Sequence, residues 1–145
     1  MIREKMEEYK IPIAQIQHIK AGVDYQLEDG TVVPNQLLTT PGRPARMYAY
    51  CSDTAYSPEI IPHIGGVDLL YHEATFAEGE RARAAETYHS TARQAAEIAK
   101  AAAVKRLVIG HYSSRYNELG ILLKEAVEVF PDTELAIEGK VFELT

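Results

Sequence analysis

Three short runs of apolar residues stand out along the chain, and polar residues follow each of them directly. The runs cover residues 47–51, 67–71 and 106–109. Continuous apolar runs of this length are typical of strands that lie buried in a sheet. The pattern therefore predicts three strands that each end in polar side chains.

Two helices and a hairpin complete the predicted sheet region. Alanines recur at helical spacing over residues 90–103, and Ser90 at the start of this segment is a residue type that often caps a helix. Residues 117–130 are also amphipathic and stop before a proline. We further predict a closing hairpin of residues 135–137 and 141–144. Strands and helices that alternate in this order are typical of an α/β fold with a parallel sheet.

The first 45 residues have a weaker pattern, because prolines and glycines interrupt them repeatedly. The regular elements that we predict there are a short helix over residues 2–9 and a small hairpin of residues 25–27 and 31–33. We therefore divide the chain into a connecting segment, residues 1–45, and a sheet-forming region, residues 46–145.

Composition and charge narrow the possible functions. The chain has 145 residues, of which 46% are hydrophobic and 25% are charged, as in an ordinary globular domain. No apolar stretch is long enough to cross a bilayer, so we expect no membrane span. A single cysteine, Cys51, and a charged sequence after Met1 favour a cytoplasmic protein. The net charge of −6 gives no general attraction to phosphates, so binding of RNA requires a local site, a metal or residues outside this chain.

Ionisable residues follow all three predicted strands. Asp53 comes after the first strand, His72 and Glu73 after the second, and His111 after the third, while His89 precedes the alanine-rich helix. The carboxyl ends of parallel strands share one edge of a sheet, so we expect these five side chains to cluster there. Imidazole and carboxylate groups are ligands that zinc and manganese accept. The sequence thus predicts a metal site at this edge, although the spacing matches no compact metal-binding motif.

Each of these residues also has a purely structural interpretation. Asp53 could close an Asx turn, and His72 could be a core histidine that hydrogen-bonds to a backbone carbonyl. Glu73 could be solvated, and His89 could belong to the cap of a helix. His111 follows a glycine and a buried strand directly, which favours a functional role for it.

Four segments, in their order along the chain, resemble a known family. They are residues 50–54 (Tyr-Cys-Ser-Asp-Thr), 72–76 (His-Glu-Ala-Thr-Phe), 89–92 (His-Ser-Thr-Ala) and 110–116 (Gly-His-Tyr-Ser-Ser-Arg-Tyr). Together they are similar to the carboxyl-terminal half of ribonuclease Z, the tRNA 3′-processing endonuclease of the metallo-β-lactamase superfamily.

The resemblance implies a fold, a metal centre and roles for four residues. The fold is α/β, the carboxyl-terminal half of a metallo-β-lactamase αββα sandwich, with two zinc ions at one edge. Asp53 would bridge both ions, and His111 would ligate one of them. His89 would stabilise charge near the scissile phosphate or protonate the leaving oxygen, and Glu73 would orient His89.

The implied function is that of a zinc-dependent endoribonuclease that removes the 3′ trailer from precursor tRNA and leaves a 3′-hydroxyl on the tRNA. The complete enzyme would be a homodimer, and residues 1–45 would include the base of its substrate-binding arm. The His-x-His-x-Asp-His motif that supplies most of the family's metal ligands is absent from this sequence. We therefore expect that an amino-terminal half is missing and that the chain alone is inactive and binds zinc weakly. We also expect one bare sheet face, which pairs with that half or with a second copy.

Two other functions stay open. One is a non-catalytic association module with a metallo-β-lactamase-like fold, and the other is a different phosphodiesterase or hydrolase of the same superfamily. The His-Glu-Ala-Thr and His-Ser-Thr motifs favour ribonuclease Z over the other hydrolases.

Overall fold

A computed structural model describes residues 1–42 and 44–144 of the chain. These residues form two compact units, Met1–Pro44 and Ala45–Thr145, which we call the N-terminal unit and the sheet unit. Among the helices of the described residues, none is long and apolar enough to span a membrane.

The N-terminal unit is small and consists of short elements. In chain order these are α1 (Arg3–Glu8), a 3-10 turn (Ile13–Gln15), α2 (Ile16–Lys20), β1 (Tyr25–Gln26), β2 (Val32–Val33) and α3 (Asn35–Leu38). β1 and β2 pair antiparallel, which confirms the predicted hairpin, and α1 confirms the predicted first helix. The remaining helices were not predicted. They enclose a small apolar core made of Ile11, Ile19, Val33 and Leu38.

The sheet unit contains four parallel strands in the order β3-β4-β5-β6. The strands are β3 (Tyr48–Cys51), β4 (Leu69–Glu73), β5 (Leu107–Gly110) and β6 (Thr133–Leu135). Its helices are α4 (Arg81–Glu86), α5 (Ala92–Ala101) and α6 (Gly120–Val127), with 3-10 turns at Pro58–His63 and Glu78–Glu80. The three predicted strands, their parallel arrangement and the two predicted helices are confirmed.

One face of this sheet carries the core. Leu70, Leu107 and Ile109 of β4 and β5 are completely buried against α5 and α6. The buried residues of α5 are mostly alanines, which allow the helix to lie close to the sheet at the packing density of a protein interior. Burial of each large aliphatic side chain contributes about 1.5–3 kcal/mol to stability.

The start of α5 differs from the prediction. Its cap is Thr91 rather than Ser90, because the Thr91 hydroxyl accepts a hydrogen bond from the Gln94 backbone N–H while the Gln94 side chain accepts one from the Thr91 N–H. This reciprocal pair is a capping box. The Ser90 hydroxyl instead donates to the carbonyl oxygen of Thr54, at 2.8 Å. Because the Ser90 hydroxyl is used in this tertiary contact with Thr54, the next residue, Thr91, caps the helix.

The predicted closing hairpin is wrong. Its first half overlaps β6, which pairs in parallel with β5 and continues the sheet through the Ala136 N–H, a donor to the Ile109 carbonyl at 2.8 Å. Residues 141–144 are described but form no strand. After α6 the chain returns to the sheet and pairs with the edge of β5 that β4 does not occupy. This pairing forms instead of the predicted local hairpin.

The second face of the sheet is a groove of about 710 Å³. Tyr48 and Tyr50 of the edge strand β3 are 52% and 63% exposed in it, and the Tyr50 ring stacks on Tyr71 at a centroid distance of 4.6 Å. Six residues of the segment 136–144 line the same groove. The sequence predicts a bare face. In the structure, residues of the segment 136–144 partly cover it.

Gly110 at the end of β5 gives the first test, because a Cβ atom at this position would overlap the Tyr71 ring on the neighbouring strand. We expect Gly110→Ala to lower the free energy of unfolding by about 1–3 kcal/mol, since the ring has to move away. Urea denaturation measures the loss. In a Tyr71→Ala background the same substitution should cost much less, and an equal cost in both backgrounds would contradict the contact.

Candidate functional site

Four ionisable side chains meet at the carboxyl ends of β3, β4 and β5. Asp53, Glu73, His89 and His111 each contribute one atom that could bind a metal, and these four atoms lie within 4.8 Å of one another. Asp53 follows β3, Glu73 ends β4, His111 follows β5, and His89 lies just before α5. The parallel sheet brings the strand ends to one edge, so residues far apart in sequence become neighbours.

Glu73 is the completely buried centre of this cluster. Its Oε1 accepts hydrogen bonds from the Thr54 N–H at 2.7 Å and from His89 Nδ1 at 2.9 Å. Its Oε2 accepts from the Thr75 hydroxyl at 2.6 Å and from the Ser90 N–H at 3.1 Å. Burial raises the pKa of Glu73, but the four hydrogen bonds outweigh it and hold the pKa below its ordinary value. Glu73 is therefore an ionised, fully bonded carboxylate, and the solvated alternative is wrong.

His89 is held in one orientation by this carboxylate. Since the ionised Glu73 can only accept, His89 Nδ1 is the donor, and Nε2 is the nitrogen left without a proton in the neutral ring. Between ring centroids, His89 lies 5.3 Å from His111 and 6.1 Å from Phe76, which it contacts in an edge-to-face arrangement. Nε2 of His89 is thus the chemically available atom of this side chain.

Thr75 connects Glu73 to His111. The Thr75 hydroxyl lies 2.6 Å from Glu73 Oε2, 2.8 Å from the His111 carbonyl oxygen and 3.0 Å from His111 Nδ1. It has one proton, which goes to the charged carboxylate because that bond is the shortest and strongest. In the tautomer with a proton on Nδ1, His111 donates to the Thr75 oxygen and keeps a lone pair on Nε2.

Asp53 faces this nitrogen, and because a lone pair and a carboxylate oxygen repel each other, a cation or a proton has to lie between them. His111 Nε2 and Asp53 Oδ1 are 3.2 Å apart, and both residues have left-handed backbone angles, with φ of 58° and 50°. Two ligand atoms of a tetrahedral zinc ion, with bonds of about 2.0–2.1 Å, would lie about 3.3 Å apart. The donor types and their separation therefore fit two ligands of one zinc ion. They fall short in number, since a catalytic zinc site has about three protein ligands.

Glu73 does not fill this gap. Both of its oxygens are already occupied by hydrogen-bond donors, and one of these donors is the His89 ring. The Asp53 carboxylate contacts His111 across the cluster, which is a tertiary contact and not the local Asx turn considered above.

His72 does not belong to the cluster, contrary to the prediction. Its Nδ1 lies 2.8 Å from the Glu73 carbonyl oxygen, so it is the core histidine of the structural alternative. Successive side chains of a strand alternate between faces, which places His72 on the helix-packed face and Glu73 on the other. Burial lowers the pKa of His72, so the ring is neutral.

Three functional contacts were not predicted. Thr54, Thr75 and Ser90 supply donors to Glu73, two from the backbone and one from a hydroxyl. Each of them adjoins a predicted site residue in the sequence, within two positions of Asp53, Glu73 or His89. The sequence shows this adjacency, but it does not show that a buried carboxylate needs donors at these places.

Glu73→Gln tests the central carboxylate. Each oxygen of Glu73 receives a backbone N–H, so either orientation of an amide sets an NH₂ group against a backbone donor. We expect the free energy of unfolding to fall by about 2–4 kcal/mol, because a buried charged acceptor is lost. Urea denaturation measures the change. The control is Glu128→Gln, which removes an exposed ion pair with Arg93 and should change stability by less than about 1 kcal/mol. Equal effects of the two substitutions would contradict the role of Glu73.

Comparisons with known proteins agree with this geometry. The family model described as "Beta-lactamase superfamily domain" matches residues 6–112. The ribonuclease Z of Parabacteroides distasonis is 59% identical over 139 residues, 96% of this chain and 46% of that protein. The ribonuclease Z of Bacteroides thetaiotaomicron is 54% identical over 139 residues, 96% of this chain and 44% of that protein. The chain therefore spans about half the length of the curated relatives it matches.

The fold also has a counterpart among solved structures. The crystal structure of the metallo-β-lactamase fold protein YhfI from Bacillus subtilis matches with a TM-score of 0.64 and 28% identity, over 68% of this chain and 40% of that chain. The predicted α/β fold class and the predicted similarity to ribonuclease Z are confirmed. The chain belongs to the β-lactamase superfamily, and its sequence is similar to ribonucleases Z over nearly its whole length.

Proposed function

We propose that this chain supplies the catalytic histidine and two metal ligands of a zinc-dependent endoribonuclease that removes the 3′ trailer from precursor tRNA. The single observation that carries the proposal is the arrangement of His89. Glu73 holds its Nδ1, and its Nε2 is left available next to the Asp53–His111 pair. The similarity to proteins named ribonuclease Z supports the choice of RNA as substrate.

Asp53 and His111 are the residues that would hold the metal. They offer one carboxylate and one imidazole lone pair, and the family's further ligands would come from an amino-terminal half that precedes this sequence in the whole protein. When bound there, zinc would lower the pKa of a water and stabilise negative charge on the phosphate.

His89 acts on the leaving oxygen in this proposal. In this step His89 acts as the imidazolium, with Nδ1–H on Glu73 and a second proton on Nε2. Water adds to phosphorus, the bond between phosphorus and the ribose O3′ breaks, and the Nε2 proton passes to O3′. The proton that the attacking water loses then restores the imidazolium. The products are a tRNA with a free 3′-hydroxyl and a trailer with a 5′-phosphate. Glu73 does not touch the substrate. It fixes the His89 ring so that Nε2 keeps its position throughout the reaction.

Substrate binding has to come mainly from outside the cluster. The net charge of −6 gives this chain no general attraction to tRNA. We propose that residues 1–45 form the base of a substrate-binding arm and that residues 46–145 form the carboxyl-terminal half of the catalytic domain. The complete enzyme would work as a cytoplasmic homodimer.

The groove on the second sheet face favours one alternative, a non-catalytic association module. Tyr48 and Tyr50 are exposed there beside apolar side chains, a combination that is typical of surfaces that bind another protein. The two proposals differ in their dependence on His89. Association with another protein does not require His89, so an association module should function without it. An endoribonuclease of the proposed kind should lose activity when His89 is replaced.

The test joins this chain to the amino-terminal half and measures cleavage of precursor tRNA together with zinc content. We expect His89→Ala to lower kcat by about 10²- to 10⁴-fold, the usual contribution of a general acid, with zinc content unchanged. Asp53→Ala and His111→Ala should lower both activity and zinc content, because each removes a ligand. Glu128→Gln, at an exposed ion pair, is the control and should change neither.

Full cleavage by the His89→Ala protein would contradict the proposal. So would tight, stoichiometric zinc binding by the 145-residue chain alone, because it would show that further ligands lie within this sequence. We expect that chain to lose zinc to a mild chelator.

A further inference from the structure

An exposed aromatic side chain stands immediately before His89. Tyr88 is 76% exposed and is the most exposed of the nine tyrosines. Within residues 1–42 and 44–144, its side chain makes no hydrogen bond, ring stacking or cation–π contact. Stability of the fold therefore does not explain a large aromatic ring at this position.

The backbone holds Tyr88 in a fixed place at the end of α4. The His89 N–H donates to the Ala84 carbonyl at 2.8 Å and the Tyr88 N–H to the Ala85 carbonyl at 3.3 Å, and φ of Tyr88 is 59°. This is the Schellman closure of a helix, in which glycine is the usual residue at the left-handed position. Tyrosine is disfavoured there relative to glycine, so the fold would be at least as stable without the ring.

The same chain offers an internal comparison. α5 ends in the same closure at Ala103, where φ is 49° and the Val104 N–H donates to the Ala99 carbonyl at 3.2 Å. That position carries only a methyl group and lies at the opposite end of α5 from the cluster. The two closures share their backbone geometry, and they differ in the ring and in its distance from His89.

We propose that Tyr88 is a substrate-binding residue that stacks on an unpaired base beside the scissile phosphodiester. The inference rests on the proposed function, since it assumes that His89 acts on an RNA phosphodiester. An unpartnered aromatic ring on a fixed backbone is a feature with which proteins bind bases of single-stranded RNA, because every base has a face that stacks. The trailer side of precursor tRNA offers such bases.

Stacking of this kind binds the ground state and the transition state alike, so its loss raises KM and leaves kcat unchanged. In the protein joined to its amino-terminal half, we expect Tyr88→Leu to raise KM for precursor tRNA by about 5- to 100-fold, the range for one base–aromatic contact. Tyr88→Phe keeps the ring and should keep the KM.

Two glycine variants separate stacking from a structural role. Tyr88→Gly and Ala103→Gly both relieve the left-handed backbone, so neither should lower the midpoint of urea denaturation. Tyr88→Gly should nevertheless raise KM as Tyr88→Leu does, whereas Ala103→Gly should leave KM unchanged. A lower midpoint for Tyr88→Gly, or a fall in kcat for Tyr88→Leu, would assign Tyr88 to the fold or to the chemistry and overturn the inference.

Abasic substrates identify the contact directly. Two precursor tRNAs are made, each lacking the base on one side of the scissile phosphate. We expect one of them to raise the KM of the unsubstituted protein by the same factor as Tyr88→Leu, and to have no further effect on Tyr88→Leu itself. If both act equally on the two proteins, Tyr88 does not stack and the proposed function still stands. If the unsubstituted protein does not cleave precursor tRNA at all, the proposed function fails, and the inference fails with it.

Discussion

A carboxylate without access to water is stable only when hydrogen-bond donors surround it, and the site in this chain depends on that constraint at Glu73. Its four donors come from the chain after β3, the chain after β4 and the turn that precedes α5. The strand ends and the turn before α5 therefore hold all four donors within hydrogen-bond distance of the Glu73 carboxylate. The same bonds orient His89, and Thr75 links the buried charge to Nδ1 of His111, so one carboxylate is connected to both histidines.

Two features of the sheet unit are incomplete, namely the set of metal ligands and the cover of the second sheet face. Asp53 and His111 have the chemistry and separation of zinc ligands but are too few for a catalytic site. The second sheet face has exposed tyrosines in a groove that residues 136–144 only partly cover. Under the proposed function, one missing amino-terminal half accounts for both, since it would bring further ligands and cover the groove. The buried Glu73 network, in contrast, is complete within the described residues.

Much of the site was predictable, because apolar runs mark buried strands and parallel strands carry their carboxyl ends to one edge. This argument predicted that Asp53, Glu73, His89 and His111 cluster at one sheet edge, and the structure brings them together there. It placed His72 there too, although alternation along β4 separates neighbouring side chains. The cap of α5 and the pairing of β6 were not predictable. They depend on tertiary contacts, such as that of Ser90 with the Thr54 carbonyl, which local propensity does not contain.

The central claim, that Glu73 holds the Nδ1–H of His89 and so leaves Nε2 without a proton in the neutral ring, is open to direct measurement. Long-range ¹H–¹⁵N NMR spectra of the ¹⁵N-labelled chain, recorded well above the ordinary imidazole pKa and without metal, distinguish the two neutral tautomers. The hydrogen bond from Nδ1 to Glu73 predicts the Nδ1–H tautomer for His89. An Nε2–H tautomer at His89 would contradict the account, because Nδ1 would then have no proton to donate to the buried carboxylate.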